Sequence, residues 1–386
     1  MCDGCRISHV GAMGWSNPAR PGSNTTDPRW SKRIVRATSH TPPQSEKPMT
    51  TTPASTEKWG LDGPYYDDLR PGHAFVPAPP ITLGPGEAAL YQSITGDPLG
   101  ISLATTRGRA VTGIDGGVAN PALALHVAIG QSTVATRRVI ANLFYRGVVL
   151  HRVVPIGVTL HTTVEARAMR ETSRKPDKPR RGMVLLGMRT VTEAGDLVAD
   201  FERCALIPFR DQNAEPGFDD DLGPTATPFE FGPYVAHTPE GWDLSSLPEP
   251  DGSWTIGAKR TDPLRDTVTD APALVRLTQN LAAAHRDARL GQRGRRLVYG
   301  GHTIGLAQAS LCRLVPSIAT IVGWHSCDHV GPVFEDDVLT VSATFDAEQA
   351  VGSGRLLAFT VLVDAEGEGR DGAERVLDWK PVVYAR

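Results

Sequence analysis

The chain has 386 residues, too many for one small domain and suited to two or three. Apolar residues make up 40% of it and charged residues 22%, a globular composition. A net charge of −3 excludes bulk attraction to nucleic acid or to an anionic membrane, and no apolar run reaches the ~18 residues that a spanning helix needs.

Residues 1–58 are rich in Ser, Thr, Pro and Asn, without apolar periodicity, and read as a disordered extension. A short polar leader follows Met49, which makes Met49 the expected translation start. The N-terminus lacks a charged-then-apolar signal pattern, and the five cysteines are odd in number and scattered. Both features point to a reducing, cytoplasmic setting. Cys2-Asp-Gly-Cys5 is a lone CxxC without a second pair, too little for a zinc or redox site.

From Trp59 the chain can be laid against itself. A Thr-centred polar turn opens each half, at Tyr91–Asp97 and at Leu277–Asn280. An apolar helix is predicted after each, over Ala122–Ile140 and His302–Leu314, and each contains Ile-Gly. Pro-centred strand entries come next, at Pro155–Leu160 and Pro332–Leu339, with alternating β-type residues at His161–Val164 and Thr340–Thr344. Two strands close each half: Met183–Val191 and Leu197–Pro208, then Arg355–Val363 and Arg375–Tyr384. A spacing of roughly 175–180 residues recurs through these pairs, the mark of an internal duplication. Residues 59–210 form the first copy and 255–386 the second. The Asp-, Pro- and Gly-rich stretch 211–254 reads as a crossing linker, with Asp219-Asp220-Asp221 a solvated loop.

Strands outnumber helices, and an apolar helix needs a sheet to bury it. The expected fold is α+β, a curled antiparallel sheet around a central helix in each half, with the two sheets joined edge to edge. The stretch most suggestive of chemistry runs from Leu274 to Leu314. It sets the amide of Asn280 five residues before the imidazole of His285, then opens a helix with Gly300-Gly301. Free N–H groups at a helix start stabilise negative charge, and glycine admits close approach. A buried helix with a core histidine would leave the same trace. Cys327-Asp-His329 and His302 lack ligand spacing, so no metal is predicted.

Tyr91-x-x-Ile94-Thr95-Gly96-Asp97-x-x-x-Ile101 resembles the signature of the MaoC-like, R-specific enoyl-CoA hydratases, and Thr278-Gln279-Asn280-x-x-x-x-His285 resembles it again. Gly300-Gly301 is similar to the His-Gly that opens that family's central helix. Pro332-Val333-Phe334-x-x-Asp337-x-Leu339 is similar to its strand entry. In two copies over residues 59–386, the resemblance implies a double hotdog of the tandem type, similar to mesaconyl-CoA hydratases. Neither half keeps the whole Asp/His dyad. The first has Asp97 but Ser102 at the His position; the second has His285 but Asn280 at the Asp position.

The resemblance implies a working site in the second half, with His285, Asn280 and the Gly301 N–H as catalytic groups. Asp97 and Gly300 would line the substrate pocket, in a degenerate first half. Arg289, Arg295 and Arg296 either form a solvated face or hold coenzyme A phosphates. The activity implied is reversible hydration of an α,β-unsaturated acyl-CoA, with a short or branched acyl group such as a mesaconyl-type dicarboxylate. No cofactor beyond coenzyme A is expected, and a homodimer is a possible assembly. A longer-chain (3R)-hydroxyacyl thioester dehydratase, and a non-catalytic acyl-CoA-binding protein with both dyads broken, are the alternatives.

Overall fold

The structure, a computed structural model, describes residues 62–176, 178–224 and 227–386. The expected extension, its CxxC and the Met49 start lie outside the described residues. Ahead of the first central helix lie a two-residue strand β1 (Ile81–Thr82), helix α1 (Pro85–Thr95) and two short helices, α2 (Gly100–Leu103) and α3 (Thr105–Thr112). The turn expected at Tyr91–Asp97 is thus the last turn of α1, closed at Gly96 in the left-handed region (φ 62°), where glycine carries no Cβ penalty.

The first central helix, α4 (Pro121–Gln131), is buried along its whole length. Asn120 caps it, its Oδ1 accepting from the Ala122 N–H at 2.9 Å, and Pro121 supplies the fixed φ that suits a first helical position. It ends well before Ile140: a 3-10 turn covers Ser132–Ala135 and strand β2 (Ala141–Leu150) follows. Strands β3 (Thr159–Glu171), β4 (Arg181–Thr192) and β5 (Leu197–Pro208) complete the half as an antiparallel meander.

The segment 211–254 packs against the core as it crosses. It carries a short helix α5 (Gly232–Val235) and buries Tyr234, Trp242, Leu244 and Leu247. The second half repeats the plan with β6 (Lys259–Thr261), β7 (Asp266–Thr267), α6 (Ala271–Leu277) and the second central helix, α7 (Gly300–Leu314). Strands β8 (Ile318–His329), β9 (Val338–Val351), β10 (Gly354–Glu366) and β11 (Glu374–Ala385) follow.

One sheet of order β1-β3-β4-β5-β2-β8-β11-β10-β9-β6 runs through both halves, with β7 also paired to β9. Its seam is the antiparallel pair β2–β8, in which Tyr145 faces Cys327 and Val149 faces Gly323. A Cβ at Gly323 would strike the Val148 carbonyl, so the seam closes only around a glycine. Arg146 bridges it to Asp328 at 2.7 Å. Helix α4 lies on β3, β4 and β8, whereas α7 lies on β9, β10 and β11.

The helices also lock the halves together. A Cβ on Gly130 of α4 would collide with the Thr278 carbonyl of the second half, and one on Gly305 of α7 would stand 2.9 Å from Thr95 Cγ2 of the first. Each Ile-Gly pair therefore marks where one half's helix meets the other half's polar turn. None of the described helices is long and apolar enough to cross a membrane.

Candidate active site

The two polar turns fold alike. Thr95 Oγ1 donates to the Tyr91 carbonyl (3.0 Å) and Thr278 Oγ1 to the Leu274 carbonyl (2.8 Å), each closing a helical turn. Asp97 Oδ1 then accepts from the Leu99 N–H (3.0 Å), and Asn280 Oδ1 from the Ala282 N–H (2.9 Å). A side-chain oxygen bonded to the N–H two residues on is the usual Asx turn.

Beyond that bond the two sites diverge. The other oxygen of Asp97 accepts from Asn120 Nδ2 (2.7 Å) and from Gln308 Nε2 (2.6 Å), which reaches across from α7. With its carboxylate so saturated and 1% exposed, Asp97 is part of the interior and lines no substrate pocket, contrary to the sequence expectation. Asn280 Nδ2 has no protein acceptor among the described residues, and it borders a cavity of ≈ 270 Å³. The amide orientation is set by the Ala282 N–H, which requires oxygen at Oδ1.

The cavity lies across the seam of the halves. The second half contributes Asn280, His285, Tyr299, Gly300 and His329; the first contributes Thr136, Asn142, Tyr145 and Arg203, with Ile129, Val139 and Ile140 among the apolar walls. His285 ends a 3-10 turn (Ala283–His285), and its Nδ1 lies 2.8 Å from the Leu297 carbonyl. A carbonyl can only accept, so Nδ1 carries the proton and the Nε2 lone pair is left for the cavity. Burial lowers the His285 pKa to about 4, so the ring is neutral at pH 7.

Gly300 is the first residue of α7, where N–H groups lack intrahelical partners and no side chain caps them. A Cβ there would stand 2.5 Å from the His329 ring, so only glycine admits this imidazole. Gly301 is buried one step further in, against the Tyr299 ring, and does not border the cavity. Of the two glycines it is therefore Gly300 that borders the cavity.

The expected arginines are engaged elsewhere. Arg289 is exposed and paired with Asp287 at 2.7 Å, away from the cavity. Arg295 lies over the Phe334 ring and donates to the Glu335 carbonyl at 2.5 Å, and Arg296 binds Glu335 at 2.6 Å. Both fasten the 285–297 loop to the strand entry at 332–337. Arg286 holds the polar turn, Nε donating to the Asn280 carbonyl at 2.7 Å.

Tyr145 and Arg203 escaped the sequence reading, and His329 was weighed there only as a metal ligand. Tyr145 borders the cavity, and the buried His329 Nε2 has no partner among the described residues. Burial keeps His329 neutral, its pKa lowered to about 4. Arg203 offered one signal. It shares a strand face with Phe201, Ala205 and Ile207, all buried, so a charge stands where the alternation calls for an apolar residue.

No protein-family model matches the chain. A mesaconyl-CoA hydratase of Cereibacter sphaeroides is 29% identical over 314 residues, spanning 76% of this chain and 88% of the relative. A solved double-hotdog protein of Mycobacterium tuberculosis, described as conserved, hypothetical and essential for survival during infection, is 41% identical. That match covers 84% of this chain and 99% of that one, with a TM-score of 0.75. A MaoC domain dehydratase of Chloroflexus aurantiacus shares the fold at 23% identity and TM-score 0.74, over 84% of this chain and 98% of that one. The chain belongs to the double-hotdog family. Within this fold it is the polar turn of the second half, through Asn280, that borders the ≈ 270 Å³ cavity.

Proposed function

We propose that the protein is a hydro-lyase that reversibly adds water across the α,β-double bond of an acyl-CoA thioester. The observation that carries this reading is the orientation of His285. Its Nδ1–H is tied to the Leu297 carbonyl, which turns a neutral Nε2 toward the cavity shared with Asn280 and Gly300. The resemblance to a mesaconyl-CoA hydratase supports the same reaction.

In the hydration direction His285 Nε2 takes a proton from water as the hydroxyl adds to Cβ. The π electrons move onto the thioester carbonyl oxygen, which becomes an enolate. The uncapped N–H at the start of α7 stabilises that oxygen, a contribution on the order of 10²–10³-fold for one such donor. The imidazolium then returns its proton to Cα, which leaves the 3-hydroxyacyl thioester and a neutral His285. Asn280 Nδ2 orients the water as donor while its Oδ1 stays engaged with Ala282. All charge on the protein side is regenerated, so the chemistry calls for no cofactor beyond the coenzyme A of the substrate. A cytoplasmic setting, where acyl-CoA thioesters are available, goes with this reading, and a homodimer is compatible with it.

The acyl group is short. The cavity, ≈ 270 Å³, is just under the ~300–1,000 Å³ typical of drug-sized sites, and Ile129, Val139, Ile140 and Val333 are among its apolar lining. Loss of enoyl-thioester absorbance should be seen with purified protein on a short trans-2-enoyl-CoA. It should fall by ~10²–10⁴-fold in His285→Ala, the range for removal of a positioned general base. A variant that turns over like wild type would remove His285 from the mechanism.

A further inference from the structure

Arg203 carries a positive charge into the interior with no negative charge beside it. Its guanidinium is 3% exposed and its hydrogen-bond partners are all neutral. Nε donates to Ser132 Oγ (3.1 Å), Nη1 to Asn142 Oδ1 (3.2 Å), and Nη2 to the Ser132 carbonyl (3.3 Å) and Thr136 Oγ1 (2.8 Å). No Asp or Glu lies within ion-pair distance of it among the described residues. The ionisable groups that act on it most, Tyr145, Tyr299 and Cys204, are all held in their neutral forms by burial. An isolated buried charge is strongly unfavourable unless it is compensated.

Four of the five guanidinium N–H groups are accounted for by these bonds, which fix the planar head. One Nη1–H remains. Arg203, Tyr145, Asn142 and Thr136 all border the cavity that holds His285. The Tyr145 hydroxyl, on the same cavity, adds a second donor. An arginine clamped by neutral acceptors and left with one free donor, on a cavity shared with a tyrosine hydroxyl, is built to receive an anion.

From this geometry we infer that Arg203, with Tyr145, binds a second carboxylate at the far end of the acyl group and selects dicarboxylic acyl-CoA substrates over neutral ones. The inference rests on the hydratase reading of the same cavity and names the residue that reads the acyl end. Arg203 is a specificity residue here: it acts on the acyl terminus, while proton transfer stays with His285. A carboxylate also matches the planar, forked donor geometry of arginine better than a neutral carbonyl does.

The test compares an anionic with a neutral acyl group of the same shape. For turnover the pair is mesaconyl-CoA and 2-methylcrotonyl-CoA, in which a methyl replaces the carboxylate. For binding it is the saturated pair methylsuccinyl-CoA and 2-methylbutyryl-CoA, with which no hydration can occur. Wild type should favour the anionic member of each pair by on the order of 10²-fold, and Arg203→Met should erase that preference by losing the anionic member selectively. Arg203→Lys, which keeps charge but not the fork, should retain part of it and serves as a control should the Met variant fold poorly. Equal affinity of wild type for both saturated thioesters would overturn the inference, as would equal losses on both substrates in Arg203→Met. Preference in binding without turnover of either enoyl thioester would instead sink the hydratase reading and leave the anion site standing.

Discussion

In the first half, Asp97 Oδ2 takes hydrogen bonds from Asn120 and Gln308 at 2.7 and 2.6 Å; in the second, the matching atom, Asn280 Nδ2, meets open space. Both turns are otherwise superposable in their bonding, down to the Thr hydroxyl that closes the preceding helical turn. A carboxylate stands where it is buried as a structural acceptor, and an amide where the cavity lies. Retention of a family residue is therefore a poor guide to which copy works. What separates the halves is whether the neighbouring helix fills the site. Gln308 of α7 closes the first site, whereas the second stays open between α7, β2, β5 and β8.

The widest separation between the halves should appear at the two positions five residues beyond the Asx turn. His285→Ala is expected to lose most of the activity, and Ser102→Ala, at the equivalent place in the first half, none. Ser102 Oγ is buried without a partner, and the cavity does not reach it. Equal losses in the two variants, measured as kcat per folded protein, would contradict a single working site.

Asp97→Asn breaks the comparison from the structural side. The new amide would turn an NH₂ toward two NH₂ donors, from Asn120 and Gln308, and leave buried donors unsatisfied. Hydrogen bonds to a charged acceptor contribute about 1.5–3 kcal/mol each, so a loss of a few kcal/mol in stability is expected. Thermal melts should show the drop while activity of the folded fraction is unchanged. An unaltered midpoint together with lost turnover would return Asp97 to the substrate pocket.

Much of this layout was legible in the sequence, and the failures have identifiable causes. Strand β5 was read at its observed bounds, and β4, β10 and β11 to within a few residues, because the two copies reinforce one another. The seam strands β2 and β8 were missed. The first seven residues of β8, Ile318–Trp324, are all buried, so no alternation marks it as a strand. Strand β2 contains Gly147 at φ 62° with a register shift between Arg146 and Val149, and its alternation is broken there. With the seam unseen, nothing could bring Tyr145, Arg203 and His329 to Asn280 and His285, since they converge only through the β2–β8 pairing. Local spacing revealed the turn; long-range pairing assembled the cavity around it.

Acid should act through histidines of both halves. Burial lowers the pKa of His285, His302 and His329 to about 4, and in the first half that of His126 to about 3 and of His151 to about 4. Between the ordinary value near 6.5 and about 4 the unfolded chain binds protons at these sites and the folded one does not. Stability must then fall as pH drops through that window, and level off below about 4 for these groups, or below about 3 for His126. Melting midpoints recorded from pH 7 to 4 should decline progressively. A flat profile over that range would mean that the rings take up protons without leaving the folded interior.

The smallest expected change is the most direct exchange between the halves, Asn280→Asp. Asp97 shows that this turn accommodates a carboxylate, one oxygen held by the N–H two residues on. In the second half the other oxygen would face the cavity beside His285, where it could accept a hydrogen from the attacking water. A nearby negative charge also favours the imidazolium, so the His285 pKa should rise from about 4. Turnover is expected to increase a few-fold, with the acid limb of kcat/KM displaced to higher pH. The opposite result is equally decisive: a fall in turnover with the acid limb unmoved would mean that Asn280 Nδ2 donates to the substrate itself. The amide would then be an adaptation of this site to its substrate, and no remnant of a lost carboxylate.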